Sequence, residues 1–336
     1  MPESKVRVTL PKALGGMGTR AVSRTARRVA VVDIGSNSTR LLIADVLEGR
    51  VTAELARQTS VTRLGAGVDA GGRLRDDAIA RVFGALDEYR RQIDDHHVET
   101  RLAVLTSAVR DAADGREFAA DVGRRYRLSP HILTGDEEAS LTFLGATSER
   151  DPADRTLTLV LDIGGGSTEF VIGAGRRASF HVSTQAGVVR QTERHIHSDP
   201  PLERELGELA ADVRTIIERS LPQAQRRGVE HAIAVAGTAT SLAAIAQQLE
   251  PYDPDKVHGY ELSRQQCEQA LTCLASRPLA ERRRVPGLHH DRALTIVAGT
   301  VILLEALRLF GLDHVEVSEH DILRGAALGL SVGPGE

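Results

Sequence analysis

The sequence contains no tryptophan, only 3% aromatic residues, and two cysteines, Cys267 and Cys273. With so few aromatics, the hydrophobic core must be built from Leu, Val, Ile and Ala. The spacing of the two cysteines matches neither a C-x-x-C redox motif nor a zinc knuckle. We therefore expect two reduced thiols on one helix, as is typical of a protein in the reducing cytoplasm.

The sequence also lacks any run of 18 apolar residues and any excess of positive charge. Its 42 basic and 46 acidic residues give a net charge of −4. The first absence predicts that no segment spans a membrane, and the second predicts no nucleic-acid partner. Residues 1–27 contain several arginines but no apolar stretch of the kind found in signal peptides, so we predict a disordered leader there.

The length of 336 residues predicts two domains. Apolar runs typical of strands alternate with helical periodicity along the chain, which indicates the α/β class. A polar stretch around residues 149–155 separates two similar halves. We place the N-terminal domain at residues 28–141 and the C-terminal domain at residues 142–336.

An internal repeat is the most informative feature of the sequence. Residues 32–43 align without gaps on residues 161–172, and the two segments share Asp, Ile, Gly, Ser, Thr and a final Ile. Each copy reads as a strand that ends at an aspartate, Asp33 or Asp162, and turns back into a second strand. The repeat predicts a duplicated fold with one such turn in each half.

The composition of these turns suits phosphate binding. Glycine lets a ligand approach the backbone closely, and successive N–H groups form a concavity that binds anions. Bare aspartates at Asp33 and Asp162 would repel phosphate, so we expect them to hold a hydrated Mg²⁺ or to position water. From two facing lobes they could share one cation. A third candidate turn, Gly237-Thr238, lies between a predicted strand over residues 232–236 and a helix over residues 241–249. The candidate phosphate-binding residues of the two repeated turns are Gly35, Ser36, Asn37, Ser38, Gly164, Gly165, Gly166, Ser167 and Thr168.

Together these turns resemble those of the superfamily of acetate and sugar kinases, Hsc70 and actin. Within it, the sequence is similar to the family of exopolyphosphatases and guanosine pentaphosphate phosphohydrolases (Ppx/GppA). Asn37 and the segments at residues 106–112 and 133–139 are typical of that branch. The resemblance implies two duplicated actin-like (ribonuclease H-like) domains with a cleft between them. It also implies a short form without the HD-type helical domain that other members carry at their C-terminus.

The resemblance assigns further site residues. It implies that Glu138, the second of two adjacent glutamates, is the catalytic base and that Arg110 contacts phosphate. Glu169 closes the second turn, where we expect a metal or water contact. From the residues alone, the preference of a helix N-terminus for negative charge is the better explanation of the Glu137-Glu138 pair, and the resemblance shifts the choice to catalysis by Glu138. Arg40 and Arg63 are weaker candidates for the cleft, and any contact from residues 318–325, which depart from the usual family pattern, stays in doubt.

We therefore expect an exopolyphosphatase that removes terminal phosphate from inorganic polyphosphate, chiefly from short chains, with Mg²⁺ or Mn²⁺ as cofactor. A second possibility keeps the site but takes guanosine pentaphosphate (pppGpp) as substrate. A kinase of the same superfamily and a non-hydrolytic nucleotide- or phosphate-binding protein are further alternatives. Glu138 together with Asn37 argues against the kinase. The presence of Asp33, Asp162, Glu138 and Glu169 argues against the non-hydrolytic protein. We expect a homodimer.

Overall fold

The computed structural model describes residues 26–329. The leader predicted over residues 1–27 lies outside this range except for its last two residues, and Arg27 begins the first strand. No helix in the described range combines the length and the apolar character needed to cross a membrane.

Two sheets contain the strands, which we number in chain order. The strands are β1 (Arg27–Ile34), β2 (Ser38–Leu47), β3 (Arg50–Val61), β4 (Thr100–Leu105), β5 (Ser129–Ile132), β6 (Thr158–Ile163), β7 (Thr168–Ala174), β8 (Arg177–Thr184), β9 (His231–Val235), β10 (Tyr260–Ser263) and β11 (His314–Val317).

Helices cover the sheets and join the strands. They are α1 (Val68–Gly71), α2 (Asp76–Asp95), α3 (Ser107–Asp111), α4 (Gly115–Tyr126), α5 (Gly135–Ala146), α6 (Val188–His195), α7 (Glu203–Ser220), α8 (Gln223–Arg226), α9 (Ala236–Ala246), α10 (Pro254–Val257), α11 (Arg264–Ala275), α12 (Leu279–Arg282), α13 (Ile296–Phe310) and α14 (Ile322–Gly329), with a 3-10 turn at His290–Arg292.

The two sheets share a five-stranded arrangement, to which the second sheet adds β10, antiparallel to β11. The strand order is β3-β2-β1-β4-β5 in the first sheet and β10-β11-β9-β6-β7-β8 in the second. In each, the first strand pairs antiparallel with the next strand of a three-stranded meander and parallel with the strand on its other side. The predicted α/β class, with two duplicated actin-like domains, is confirmed. Its physical basis is the repeated sequence, because each copy directs the same strand, turn and strand.

The central strand β1 is buried on both faces, as expected for a strand covered by helices on each side. Its alternate residues Ala30 and Val32 belong to the hydrophobic cluster that includes helices α2 and α4. Val29 and Val31 face the opposite way and pack in the cluster that contains α14. Helix α14, the last that the structure describes, is therefore part of the packing around the first sheet.

Helices α5 and α14 cross at backbone contact distance. A Cβ built on Gly145 would lie 1.8 Å from the Asp321 carbonyl oxygen, and one built on Gly325 would lie 1.8 Å from the Leu141 carbonyl oxygen. Only glycine permits such an approach. The crossing fixes the start of α14 against the helix that carries Glu138. The domain boundary at residues 141 and 142 stays a prediction.

Two helix boundaries differ from the sequence-based expectation. Helix α9 begins at Ala236 rather than at residue 241. The apolar pattern also predicts a helix over about residues 291–310, and in the structure this helix, α13, begins at Ile296. Gly and Thr have low helix propensity, which made residues 237–240 resemble a turn. Burial of Thr238 and Ala239 in the second lobe overrides that propensity.

Candidate active site

The two repeated turns have the same backbone hydrogen bond. The Gly35 N–H donates to the Ser38 carbonyl at 2.9 Å, and the Gly164 N–H donates to the Ser167 carbonyl at 3.0 Å. In the sheet register, Asp33 lies opposite Arg40. The equivalent position opposite Asp162 is occupied by Glu169. The two turns thus share this backbone hydrogen bond and the strand register. They carry opposite charges at the position paired with the aspartate, Arg40 in the first turn and Glu169 in the second.

The turns lie against one another across the cleft. A Cβ built on Gly165 would lie 3.6 Å from the Cβ of Asn37. Helix α6 supports the second turn from behind, because the Val188 and Val189 N–H groups donate to the Gly164 and Gly165 carbonyls at 2.9 and 2.8 Å. The structure therefore brings the candidate residues of both turns together, as the sequence predicted.

Arg40 lies at the centre of the site rather than at its margin. Its Nε and Nη2 donate to Asp33 Oδ2 at 2.9 and 2.6 Å, and its Nη1 donates to Asp321 Oδ2. Burial alone would lower the pKa of Arg40, but the charges of Asp321, Asp33 and Asp162 outweigh burial and raise that pKa. Arg40 thus neutralises carboxylates from both ends of the chain.

Asp33 is 3% exposed and keeps one oxygen, Oδ1, without a hydrogen-bond partner among the described residues. Burial raises the pKa of this carboxyl group, against the charge and hydrogen bonds of Arg40. A buried carboxylate oxygen without a donor is costly in a folded protein. It is therefore a position at which a cation or a water could bind.

The second turn adds two carboxyl groups with little compensating charge. Burial raises the pKa of Asp162 to about 6, and the charges of Asp321 and Asp33 add to this rise while Arg40 opposes it. Burial and the charge of Asp162 raise the pKa of Glu169 to about 7. Ser167 and Ser183 hold Glu169 in place by donating to its Oε1 at 2.6 and 2.8 Å.

The adjacent glutamates Glu137 and Glu138 do different work. Glu137 caps helix α5, because its Oε2 accepts from the backbone N–H and hydroxyl of Thr134, both at 2.9 Å. Glu138 instead accepts from Arg110 Nη1 at 3.1 Å. Burial raises the pKa of Glu138 to about 7 despite Arg110, with further contributions from Asp33 and Asp162. The preference of a helix N-terminus for negative charge thus explains Glu137. It does not explain Glu138, whose side chain contacts Arg110 instead of the helix cap.

Arg110 is held between the first lobe and this helix. Its Nη1 also donates to the Leu133 carbonyl at 3.0 Å. The helix that carries it, α3, is joined to the first turn by a 3.0 Å hydrogen bond between the Ser107 and Ser36 hydroxyls. Arg110, Glu138 and the Asp33 turn therefore form one connected unit.

The prediction that Gly237-Thr238 forms a turn before the helix is wrong. Gly237 and Thr238 lie in the first turn of α9, and Thr238 is buried against Gly299. The Arg292 guanidinium covers Gly237, since a Cβ built there would lie 1.8 Å from Arg292 Nη1. A phosphoryl group approaching this helix would meet Arg292 before the Gly237 backbone. Contact of phosphate with Gly237 and Thr238 stays a prediction.

Comparison with known proteins decides the family. The sequence model of the Ppx/GppA phosphatase family matches residues 42–329. The chain belongs to the Ppx/GppA phosphatase family. Exopolyphosphatase 2 of Mycobacterium tuberculosis is 38% identical to it over 316 residues, which are 90% of this chain and 98% of that protein.

Solved structures of Ppx/GppA proteins share the fold. The Aquifex aeolicus family member superposes with a TM-score of 0.79 at 32% identity, covering 91% of this chain and 98% of that one. An exopolyphosphatase from Cytophaga hutchinsonii gives a TM-score of 0.79 at 26% identity, covering 92% of this chain and 100% of that one. The predicted family and the class of enzyme, a phosphoanhydride hydrolase, are confirmed.

Sequence reasoning on this Ppx/GppA protein missed two contributors to the site and ranked a third too low. Asp321 lies in the segment 318–325, whose contacts the sequence leaves in doubt, and the sequence pattern predicts that Arg292 lies inside a helix. Arg40 was only a minor candidate. Its position carried a usable signal, because the repeat places it opposite Asp33 on the neighbouring strand. No local pattern marks Asp321, which is 281 residues from its partner Arg40.

Proposed function

We propose that this chain hydrolyses the terminal phosphoanhydride bond of inorganic polyphosphate, with Glu138 as general base. The observation that carries the proposal is the position of Glu138. It takes no part in the helix cap, accepts a hydrogen bond from Arg110 and is half-buried, and burial together with the charges of Asp33 and Asp162 raises its pKa to about 7. A base whose pKa lies near the working pH is suited to accept a proton from water.

The carboxyl groups of the two turns offer oxygen ligands of the chemical type that a divalent cation takes. Asp162, Glu169 and the unpartnered Oδ1 of Asp33 offer oxygen ligands of the kind that Mg²⁺ prefers, and Mn²⁺ accepts the same set. Burial raises the pKa of Asp162 and of Glu169, and neighbouring carboxylates add to the rise, so a bound cation would favour the charged form of both groups. We propose these three residues as the ones that would hold the ion. When bound, it would neutralise charge on the phosphoryl oxygens.

The protein's own groups then perform the remaining work. Backbone N–H groups of the two turns bind oxygens of the terminal phosphoryl group, and Arg110 orients it. Glu138 accepts a proton from the water whose oxygen bonds to the terminal phosphorus. The bridging P–O bond breaks, and its electron pair stays with the shortened chain, so that orthophosphate leaves.

The relatives favour polyphosphate as the substrate. Exopolyphosphatase 2 of M. tuberculosis and the C. hutchinsonii structure carry that activity in their names. We propose short chains because the described cations beside the turns and Gly237 are few: Arg110 beside Glu138, Arg190 beside Gly166 and Arg292 over Gly237. Each guanidinium can contact only one or two phosphoryl groups.

The test is phosphate release from tripolyphosphate, long-chain polyphosphate, pppGpp and ATP, with Mg²⁺ and with a chelator. We expect Mg²⁺-dependent release from the polyphosphates, fastest from the short chain. If phosphate were released from pppGpp and from no polyphosphate, the substrate would be the nucleotide and the proposal of polyphosphate would be refuted. Absence of release from every substrate would refute hydrolysis and favour a binding protein.

A further inference from the structure

A groove of about 490 Å³ opens next to the first phosphate turn. The first lobe supplies most of its walls through residues 61–66 and 75–81, and the second lobe supplies Asp291. The groove thus continues the cleft outward between the lobes. No step of the hydrolysis described above uses it.

Three backbone contacts fix one wall of this groove to the turn. The N–H groups of Thr62 and Arg63 both donate to the Asn37 carbonyl, at 3.1 and 2.9 Å. The Gly65 N–H donates to the Ser36 carbonyl at 2.8 Å. A Cβ built on Gly65 would lie 2.9 Å from the Ser36 Cβ, so the two segments are in tight contact. The position of Arg63 is therefore tied to the backbone that would bind phosphate.

The backbone directs Arg63 into the groove. Its neighbours Thr62 and Leu64 are buried, whereas Arg63 is exposed and has a left-handed φ of 49°. Left-handed backbone is uncommon for a residue other than glycine and is often found at functional sites. This conformation turns one charged side chain outward between two buried ones.

Arg63 also differs from the other cations of the groove in having no partner. Arg75 and Arg81 each donate to Asp77 at 2.9 Å, and Arg81 also donates to the Thr62 carbonyl at 2.8 Å. Among the side chains that the structure describes, none makes a hydrogen bond or an ion pair with the Arg63 side chain. The described lining of the groove thus has three guanidinium groups and two carboxylates, Asp77 and Asp291, and the Arg63 guanidinium remains available to an anion.

We propose that this groove is a second phosphate-binding site, which holds phosphoryl groups beyond the one that is removed, with Arg63 as its principal contact. The inference rests on the proposed function and extends it to the remainder of the substrate. A guanidinium group can bind two oxygens of a phosphate. The ligand is a linear condensed-phosphate chain, which inorganic polyphosphate and a nucleoside 5′-triphosphate both provide.

The test compares Arg63→Gln and Arg63→Lys with a matched control, Arg50→Gln. Arg50 is exposed and begins β3. This strand spans about 36 Å at roughly 3.3 Å per residue, and Arg63 follows its far end, so Arg50 lies well away from the groove. For Arg63→Gln we expect KM for tripolyphosphate to rise about tenfold, which corresponds to the loss of one charged contact. We expect kcat of Arg63→Gln to stay at the wild-type value. Arg63→Lys should have a KM between those of Arg63→Gln and the wild type, and Arg50→Gln should have the wild-type KM.

Binding without turnover separates this inference from the proposed activity. In a Glu138→Gln background, titration calorimetry with tripolyphosphate should show the same weakening when Arg63→Gln is added. A weakening seen with polyphosphates but not pppGpp assigns the groove to the inorganic chain, and the reverse assigns it to the nucleotide triphosphate.

Unchanged KM and binding in a variant that unfolds at the wild-type temperature would overturn the second site. Failure of the wild-type protein to release phosphate from any substrate would instead refute the proposed function. The calorimetric comparison would still show whether Arg63 contributes to the binding of tripolyphosphate in the groove.

Discussion

Replacing Arg40 by methionine removes the one side chain that joins Asp33 and Asp321. Both carboxylates are buried, at 3% and 4% exposure, and the Arg40 side chain is itself only 17% exposed. Removal of one partner from a buried ion pair typically costs about 3–5 kcal/mol, because the other charge stays buried without compensation. We expect Arg40→Met to lower the free energy of unfolding by about that amount at pH 8.

The loss should depend on pH in a defined direction. Arg40 opposes the rise in the pKa of Asp33 and of Asp162, so both pKa values rise further in the variant. A carboxyl group whose folded pKa exceeds its unfolded pKa binds a proton more tightly when folded. It therefore destabilises the protein above the folded pKa and ceases to do so as pH falls toward the unfolded value near 4. The deficit of Arg40→Met should shrink between pH 8 and pH 5.

Urea unfolding followed by far-UV circular dichroism at both pH values measures this deficit. Arg28→Met is the matched control, since Arg28 makes two hydrogen bonds to Asp45 on the protein surface. Exposed pairs contribute little to stability, so we expect a much smaller loss for the control. A deficit below about 1 kcal/mol, or one that is equal at pH 5 and pH 8, would refute the central position assigned to Arg40.

Two further predictions concern the second turn. Because the pKa values of Asp162 and Glu169 are raised to about 6 and 7, the metal-free protein should lose thermal stability as pH rises from about 5 to 8. Added Mg²⁺ should restore it at pH 8, and an equal restoration in Glu169→Gln would contradict the ion site. Gly187→Ala should lower kcat/KM at least about tenfold, because its Cβ would lie 2.2 Å from the Gly166 backbone and displace the turn. Gly207→Ala, whose Cβ meets nothing within 4 Å, is the control, and equal kinetics of the two variants would refute this support of the turn.

Local patterns were enough to predict the turns. A strand, an Asp-x-Gly turn and a second strand are encoded within a dozen residues, so the duplication at Asp33 and Asp162 could be seen without coordinates. The two sheets then repeat that arrangement. The different roles of Glu137 and Glu138 could be predicted only from the family resemblance. The hydrogen bonds between Glu137 and Thr134 give the physical reason, because they hold Glu137 in the helix cap.

Contacts between distant segments could not be predicted in this way. The pairing of Arg40 with Asp321 depends on the glycine crossing of α5 and α14, which brings the end of the chain back to the first sheet. Coverage of Gly237 by Arg292 likewise depends on how the 3-10 turn packs on α9. In both cases tertiary packing sets the position of a charged side chain, and no short-range pattern records it.

The most direct test of the proposed chemistry compares Glu138→Gln with Glu137→Gln. The two residues are adjacent at the start of α5, but only Glu138 contacts Arg110. With tripolyphosphate and Mg²⁺, the rate of phosphate release should fall about 10²–10⁴-fold in Glu138→Gln, as expected for loss of a general base. Glu137→Gln should keep most of the activity and lose only some stability of the helix cap. Full activity in Glu138→Gln, or an equal loss in both variants, would contradict the assignment of Glu138 as the base.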